Sequence, residues 1–155
     1  MRETCEKLAD DFIAVCRIAG IDLKRQDIVI ENLGPGEEHR KLRDLPKGKM
    51  AVYVFEKAPE TILKTGKVYK NSPSRYKYHH YNPASSNSNL ASSLLNDSKY
   101  NKKFDDSNTG EWIKDNTRRI NFIIPASKGV FTLNLFEAFL HAKLQPRYEG
   151  FENQR

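Results

Sequence analysis

Seven side chains stand out for what they could do chemically: Tyr53, Lys64, Lys67, Arg75, His79, His80 and Glu137. Six of them fall within residues 52–80, VYVFEKAPETILKTGKVYKNSPSRYKYHH. A guanidinium never deprotonates and offers paired N–H donors, so Arg75 suits the charge that builds on phosphoryl oxygens during hydrolysis. A phenol titrates near 10, so Tyr53 activates water near neutrality only if its anion is stabilised, and Lys64 nearby would lower its pKa by charge. Glu137 offers a hard oxygen to a divalent cation. Each residue also has a plain reading. Tyr53 is then a strand aromatic packed on a helix, Lys64 a solvated strand residue and Arg75 a surface cation.

These groups need elements to hold them. MAVYVF and TILKTGKV are β-branched and aromatic, and EKAPE between them holds the proline of a turn, which predicts an antiparallel hairpin. A loop centred on Ala58 and Pro59 pairs Phe55 with Ile62 and Tyr53 with Lys64, so Tyr53 and Lys64 project from one face. Ser72 and Pro73 then read as the N-cap and first position of a helix. Arg75 and His79 stand four residues apart on its face, with His79 able to bond the Tyr53 hydroxyl; His80, about 100° away around the helix, reads as structural, and a shift of one position would exchange the two. Leu90, Leu94 and Leu95 mark a further short helix, and the Ser and Asn residues before it read as caps and loop.

Residues 97–110 lack periodicity and read as a loop, with Trp112 after it as a core anchor. RINFIIPA reads as a third strand ended by Pro125. GVFTLNLFEAFLHAKL is the last helix. At 100° per residue its Leu133, Phe136, Leu140 and Leu144 span roughly 80°, and Glu137 falls about 20° beyond that stripe. A carboxylate there can snorkel to water, cap a strand or hold a metal. At the other end, TCEKLADDFIAVCRIA spaces its apolar residues for a helix over 4–19 that Gly20 stops. ENLGPGEEHRKLRDLPKGK reads as a surface connector, so residues 1–46 form an N-terminal helix and connector and residues 47–155 the main domain.

The 155 residues, 38% of them hydrophobic, suffice for one compact core. Lys and Arg outnumber Asp and Glu by 26 to 20, a net +6 that favours polyanionic partners. Cys5 and Cys16 lie roughly 16 Å apart along one predicted helix, too far to bridge. No Cys/His cluster has zinc spacing. With no signal peptide and no apolar run of membrane-spanning length, the expected setting is the cytoplasm, with no membrane partner.

The triplets AVY (51–53) and KTG (64–66), with ten residues between them, resemble the signature of the GIY-YIG nucleases. Downstream pieces follow in the family's order: Arg75 and His79 on a helix, Glu137 in LFEAFL, then QPRY. The resemblance covers roughly residues 48–150 and is specific as an ordered set. It implies an α+β fold, a small three-stranded antiparallel sheet flanked by helices with the N-terminal helix appended, and metal-dependent hydrolysis of DNA. Tyr53, Lys64, Arg75, His79 and Glu137 would be catalytic, Lys67, Gly66 and His80 would sit against the substrate, and Glu137 would hold one Mg²⁺ or Mn²⁺ per active site. Lys64 stands where the family usually has a second tyrosine, and Glu149 where an Asn often ends the Pro-x-Tyr stretch. Restriction-endonuclease members look similar in carrying Lys at the former place, which implies a role in restriction or phage defence. An inactive nucleic-acid-binding module of the same fold is the alternative. One active site cuts one strand at a time, so breaking both takes a homodimer or two visits.

Overall fold

A computed structural model describes residues 2–58, 60–85 and 88–148. The fold is α+β. Four antiparallel strands, β1 (Val29–Leu33), β2 (Lys49–Lys57), β3 (Thr61–Val68) and β4 (Thr117–Pro125), form one sheet in the order β1-β4-β2-β3. Around them lie α1 (Arg2–Ile18), α2 (Glu37–Arg40), α3 (Pro73–Lys77), α4 (Leu90–Leu95), α5 (Thr109–Asn116) and α6 (Val130–Leu144).

The expected three strands are therefore four. The added one, β1, is VIENL, five residues with Glu31 and Asn32 among them, between the 3-10 turn Arg25–Asp27 and Gly34-Pro35-Gly36. Its apolar signal is too short to register, and it exists because β4 offers a free edge to pair with. The N-terminal segment thus supplies an edge strand of the sheet.

Alternation divides the sheet's side chains between two layers. Met50, Val52, Val54, Ile120, Phe122 and Ile124 point toward α1 and α6, where Phe12 and Phe136 stack with ring centroids 3.9 Å apart. α1 ends where Gly20 takes φ +70°, and the Ile21 N–H closes onto Cys16 O at 2.8 Å. Cys5 and Cys16 are both buried in this core, free, with burial raising their thiol pKa values. On the other side Tyr53, Phe55 and Leu63 meet Leu90, Ala91, Leu94 and Ile113 of α4 and α5. Tyr100 and Phe104 bury themselves in the same cluster and anchor the segment read as a plain loop. Trp112 packs against it from α5.

β3 is the open edge of the sheet on the side of interest. The QPRY stretch covers part of it, with Arg147 N–H on Ile62 O and Tyr148 N–H on Leu63 O, both at 2.9 Å. Asp97 fixes this stretch by accepting from Arg147 Nε and the Tyr148 hydroxyl, each at 2.6 Å. The Arg147 bond foremost holds its carboxyl well below the usual range. Glu149 lies outside the described residues.

Candidate active site

The hairpin register sets the site. Tyr53 pairs with Gly66 and Phe55 with Lys64, and a bulge at Leu63 shifts the ladder so that Glu56 meets Ile62. The expected pairing of Tyr53 with Lys64 is thus displaced by two residues, because the turn and bulge absorb residues that a simple hairpin would pair. A shift of two preserves the face. Tyr53 and Lys64 still project from the same side, as diagonal neighbours.

Gly66 is there for space. A Cβ on it would lie 2.7 Å from Tyr53 Cζ. The Tyr53 ring therefore lies across the outermost strand, which carries its hydroxyl to the edge of the sheet.

The histidines exchange the parts expected of them. α3 ends at Lys77, and the 3-10 turn His79–Tyr81 follows a break at Tyr78, so continuous helical spacing from Arg75 does not hold. His80, not His79, meets the Tyr53 hydroxyl, with Nε2 at 2.5 Å. The Leu90 N–H donates to His80 Nδ1 at 3.1 Å, which makes Nδ1 an acceptor. Burial holds the His80 pKa well below the ordinary value, aided by the charge of Arg119. The neutral ring therefore keeps its proton on Nε2 and donates it to Tyr53. Completely buried, His80 presents no surface to a substrate. His79 instead bonds Ser85 Oγ through Nδ1 at 3.0 Å, and burial followed by the charges of Arg75 and Lys64 lowers its pKa.

Two further groups have their basicity altered. Burial pushes the Tyr53 phenol up to about 12, against the opposing charges of Arg75 and Arg119 and a side-chain hydrogen bond from Arg75. The expected stabilisation of its anion is overcome because the residue has no solvent exposure. Lys64 is also buried, its Nζ donating to Ser88 Oγ at 3.2 Å. Burial, then the charge of Arg75, brings its ammonium down to about 8, with Glu137 opposing.

Glu137 approaches from α6 on the other side of the edge strand. Its Oε2 accepts from Lys67 Nζ, and each side chain is about a quarter exposed. Lys67 pairs with Val52 and so belongs to the α6 face. His141, one turn further along α6, bonds Thr65 O at 3.1 Å and helps seat the helix against β3. Tyr53, Lys64 and Arg75 on one face thus meet Lys67 and Glu137 on the other, around the edge of β3. Glu137 is close enough for its charge to act on both Tyr53 and Lys64.

The donors beside Glu137 fit a hard divalent cation. Asn134 stands one turn before it on the same flank of α6, and its buried Oδ1 has no hydrogen-bond partner among the described residues. A carboxylate and a carboxamide oxygen match the one or two protein ligands that Mg²⁺ takes while keeping waters and substrate oxygens. Among the described residues no three His, Cys, Asp or Glu side chains cluster as a metal group.

Arg119 is the residue that sequence reasoning missed. It is completely buried, with Nε on Asn121 Oδ1 (2.9 Å), Nη1 on Tyr81 Oη (3.0 Å) and Nη2 on Tyr76 O (2.7 Å). Its guanidinium lies 5.4 Å from the Tyr53 ring centroid and 4.7 Å from that of Tyr76. Glu31 of β1 closes the network, accepting from Asn121 Nδ2 (2.7 Å) and the Tyr76 hydroxyl (3.0 Å). The signal was the pair Arg119 and Asn121 at alternate strand positions, opposite Phe55 and Tyr53. Taken alone, such an alternation describes a solvated face.

No family model, curated protein or solved structure matches this chain. No described helix is long and apolar enough to cross a membrane.

Proposed function

We propose that this chain is a metal-dependent DNA endonuclease of the GIY-YIG type, acting in restriction or phage defence. One observation carries the reading: a phenol, a depressed-pKa lysine, an arginine and a carboxylate from β2, β3, α3 and α6 converge at one sheet edge. Lys67 and Arg75, joined by Lys64 whenever it is protonated, outnumber the single acid Glu137, a balance that suits a phosphodiester anion.

Lys64 is the general base in this reading. Burial acts in opposite directions on the two groups, so near pH 7 the ratio of neutral Lys64 amine to Tyr53 phenolate is large. The greater strength of the phenolate does not recover that ratio, because proton-transfer rates follow basicity with a slope below one. Water attacks the phosphorus, the Lys64 amine takes its proton, and the bond to the 3′ oxygen breaks. Arg75 donates to the non-bridging oxygens as their charge grows. Tyr53, buried and fixed by His80, holds Arg75 in position through its hydroxyl. Glu137 and Asn134 would hold the divalent ion, which supplies charge neutralisation at the phosphate and stabilisation of the departing oxygen.

The Lys67–Glu137 ion pair favours a second reading, a silent DNA-binding module in which lysine takes the place of the metal. Titration with Mn²⁺ separates the two. The enzyme reading expects the parent to bind the ion and Glu137→Ala to bind it at least about tenfold more weakly. Equal Mn²⁺ affinity in the two proteins removes Glu137 as a ligand.

A further inference from the structure

Beside Arg75 lies a cavity of about 230 Å³ that none of the roles above uses. Ser74, Arg75, Tyr78, His79, Asn82 and Ser85 line it, so no aliphatic side chain faces a ligand there. Tyr78 is 63% exposed, although Tyr76, His79 and His80 around it are buried. Its backbone sits in the break between α3 and the following 3-10 turn, with its N–H on Ser74 O at 2.9 Å. Buried neighbours on both sides fix the backbone at Tyr78, so its exposed ring projects from an ordered stretch beside the cavity. Lys77 Nζ stands 5.8 Å from the ring centroid, and Lys77 is itself tethered to Asp44 at 3.0 Å.

We propose that this cavity is a nucleobase subsite, with Tyr78 as its stacking platform, that takes an unpaired base of the nucleotide flanking the phosphate at Arg75. The proposal rests on the nuclease reading for that phosphate. An exposed phenol ring next to a cation matches the π-face and negative backbone of a nucleotide. The hydroxyls of Ser74 and Ser85 and the Asn82 amide supply donors and acceptors for base edges. Asn82 is oriented for this, since its Oδ1 accepts from the Ala84 N–H at 3.0 Å. A base within a duplex has both faces covered by its neighbours, so stacking on Tyr78 requires one that is unpaired or extruded.

The test uses the full chain in EDTA, where binding is read without cleavage. A single-stranded oligonucleotide carrying 2-aminopurine is titrated with the parent, Tyr78→Ala and Tyr78→Phe, following fluorescence and affinity. Stacking predicts that the parent and Tyr78→Phe change the fluorescence. Tyr78→Ala loses that change and binds about tenfold more weakly. Identical signals and affinities in the parent and Tyr78→Ala overturn the subsite and leave the hydrolase reading standing. Failure of the parent to bind any oligonucleotide overturns both. Stacking by a protein that cuts no DNA with Mg²⁺ or Mn²⁺ keeps the subsite and removes the hydrolase.

Discussion

The hydroxyl end of Tyr53 occupies the space that a side chain on its cross-strand partner Gly66 would need. Gly66→Ala must therefore push the ring aside or bend the edge strand. Overpacking of this kind costs about 1–3 kcal/mol. Thermal denaturation should show a lowered Tm, with the His80 imidazole signals displaced in the NMR spectrum. An unchanged Tm and unchanged His80 signals would mean that the ring does not lie there.

His80 and His79 should respond differently to substitution although they are neighbours in sequence. His80→Ala leaves the Leu90 N–H and the Tyr53 hydroxyl without their partner, at a cost of about 1–3 kcal/mol for a buried group so orphaned. Nitrogen chemical shifts should report a neutral His80 protonated on Nε2 at pH 6. A His80 carrying its proton on Nδ1 at that pH would contradict the hydrogen-bond assignment.

Acid should loosen the fold through its buried imidazoles from about pH 6.5 downward. Burial foremost lowers the pKa values of His39, His79 and His80, His39 to about 4. His39 is held neutral between Thr117 O (2.8 Å) and the Tyr81 hydroxyl (2.7 Å). Between pH 6.5 and 4 the unfolded chain binds a proton at this position and the native chain does not. Stability is therefore complete above 6.5 and declines as the pH falls, by about 3 kcal/mol for His39 alone at pH 4. Urea melts at pH 7.5, 6 and 5 check this. His39→Gln should flatten the slope, and a pH-independent midpoint would refute the assignment.

Much of this arrangement was legible from the sequence, for reasons that differ by element. Tyr53 and Lys64 fall on one face in either register, because strand parity survives an error of two. Glu137 falls at the flank of its helix because 100° spacing is rigid over two turns. What escaped depended on contacts between distant segments. Arg119 reads as a solvated strand residue until Tyr76, Tyr81 and Asn121 are known to surround it. Glu31 reads as part of a connector until β1 is seen on β4. The exchange of His79 and His80 turned on a single break at Tyr78, a local departure from helical geometry that no periodicity encodes.

Lys64 as the base predicts a pH profile. Cleavage under single-turnover conditions should rise about tenfold per pH unit and level off near pH 8, as the ammonium loses its proton. Lys64→Arg keeps the charge but cannot deprotonate, so its rate should fall by about 100-fold or more while DNA affinity holds. A profile still rising at pH 10 would transfer the role to a group of higher pKa, Tyr53 foremost.

Nicking of supercoiled DNA in Mg²⁺ or Mn²⁺, by the parent and by Glu137→Ala side by side, tests the whole account most directly. The parent should convert the plasmid to open-circular or linear form. Glu137→Ala should be slower by about 100-fold or more, with oligonucleotide affinity nearly unchanged because Lys and Arg dominate it. A parent that binds the plasmid and leaves it supercoiled with either metal, or a Glu137→Ala that nicks at the parental rate, contradicts a phosphodiesterase centred on this edge of the sheet.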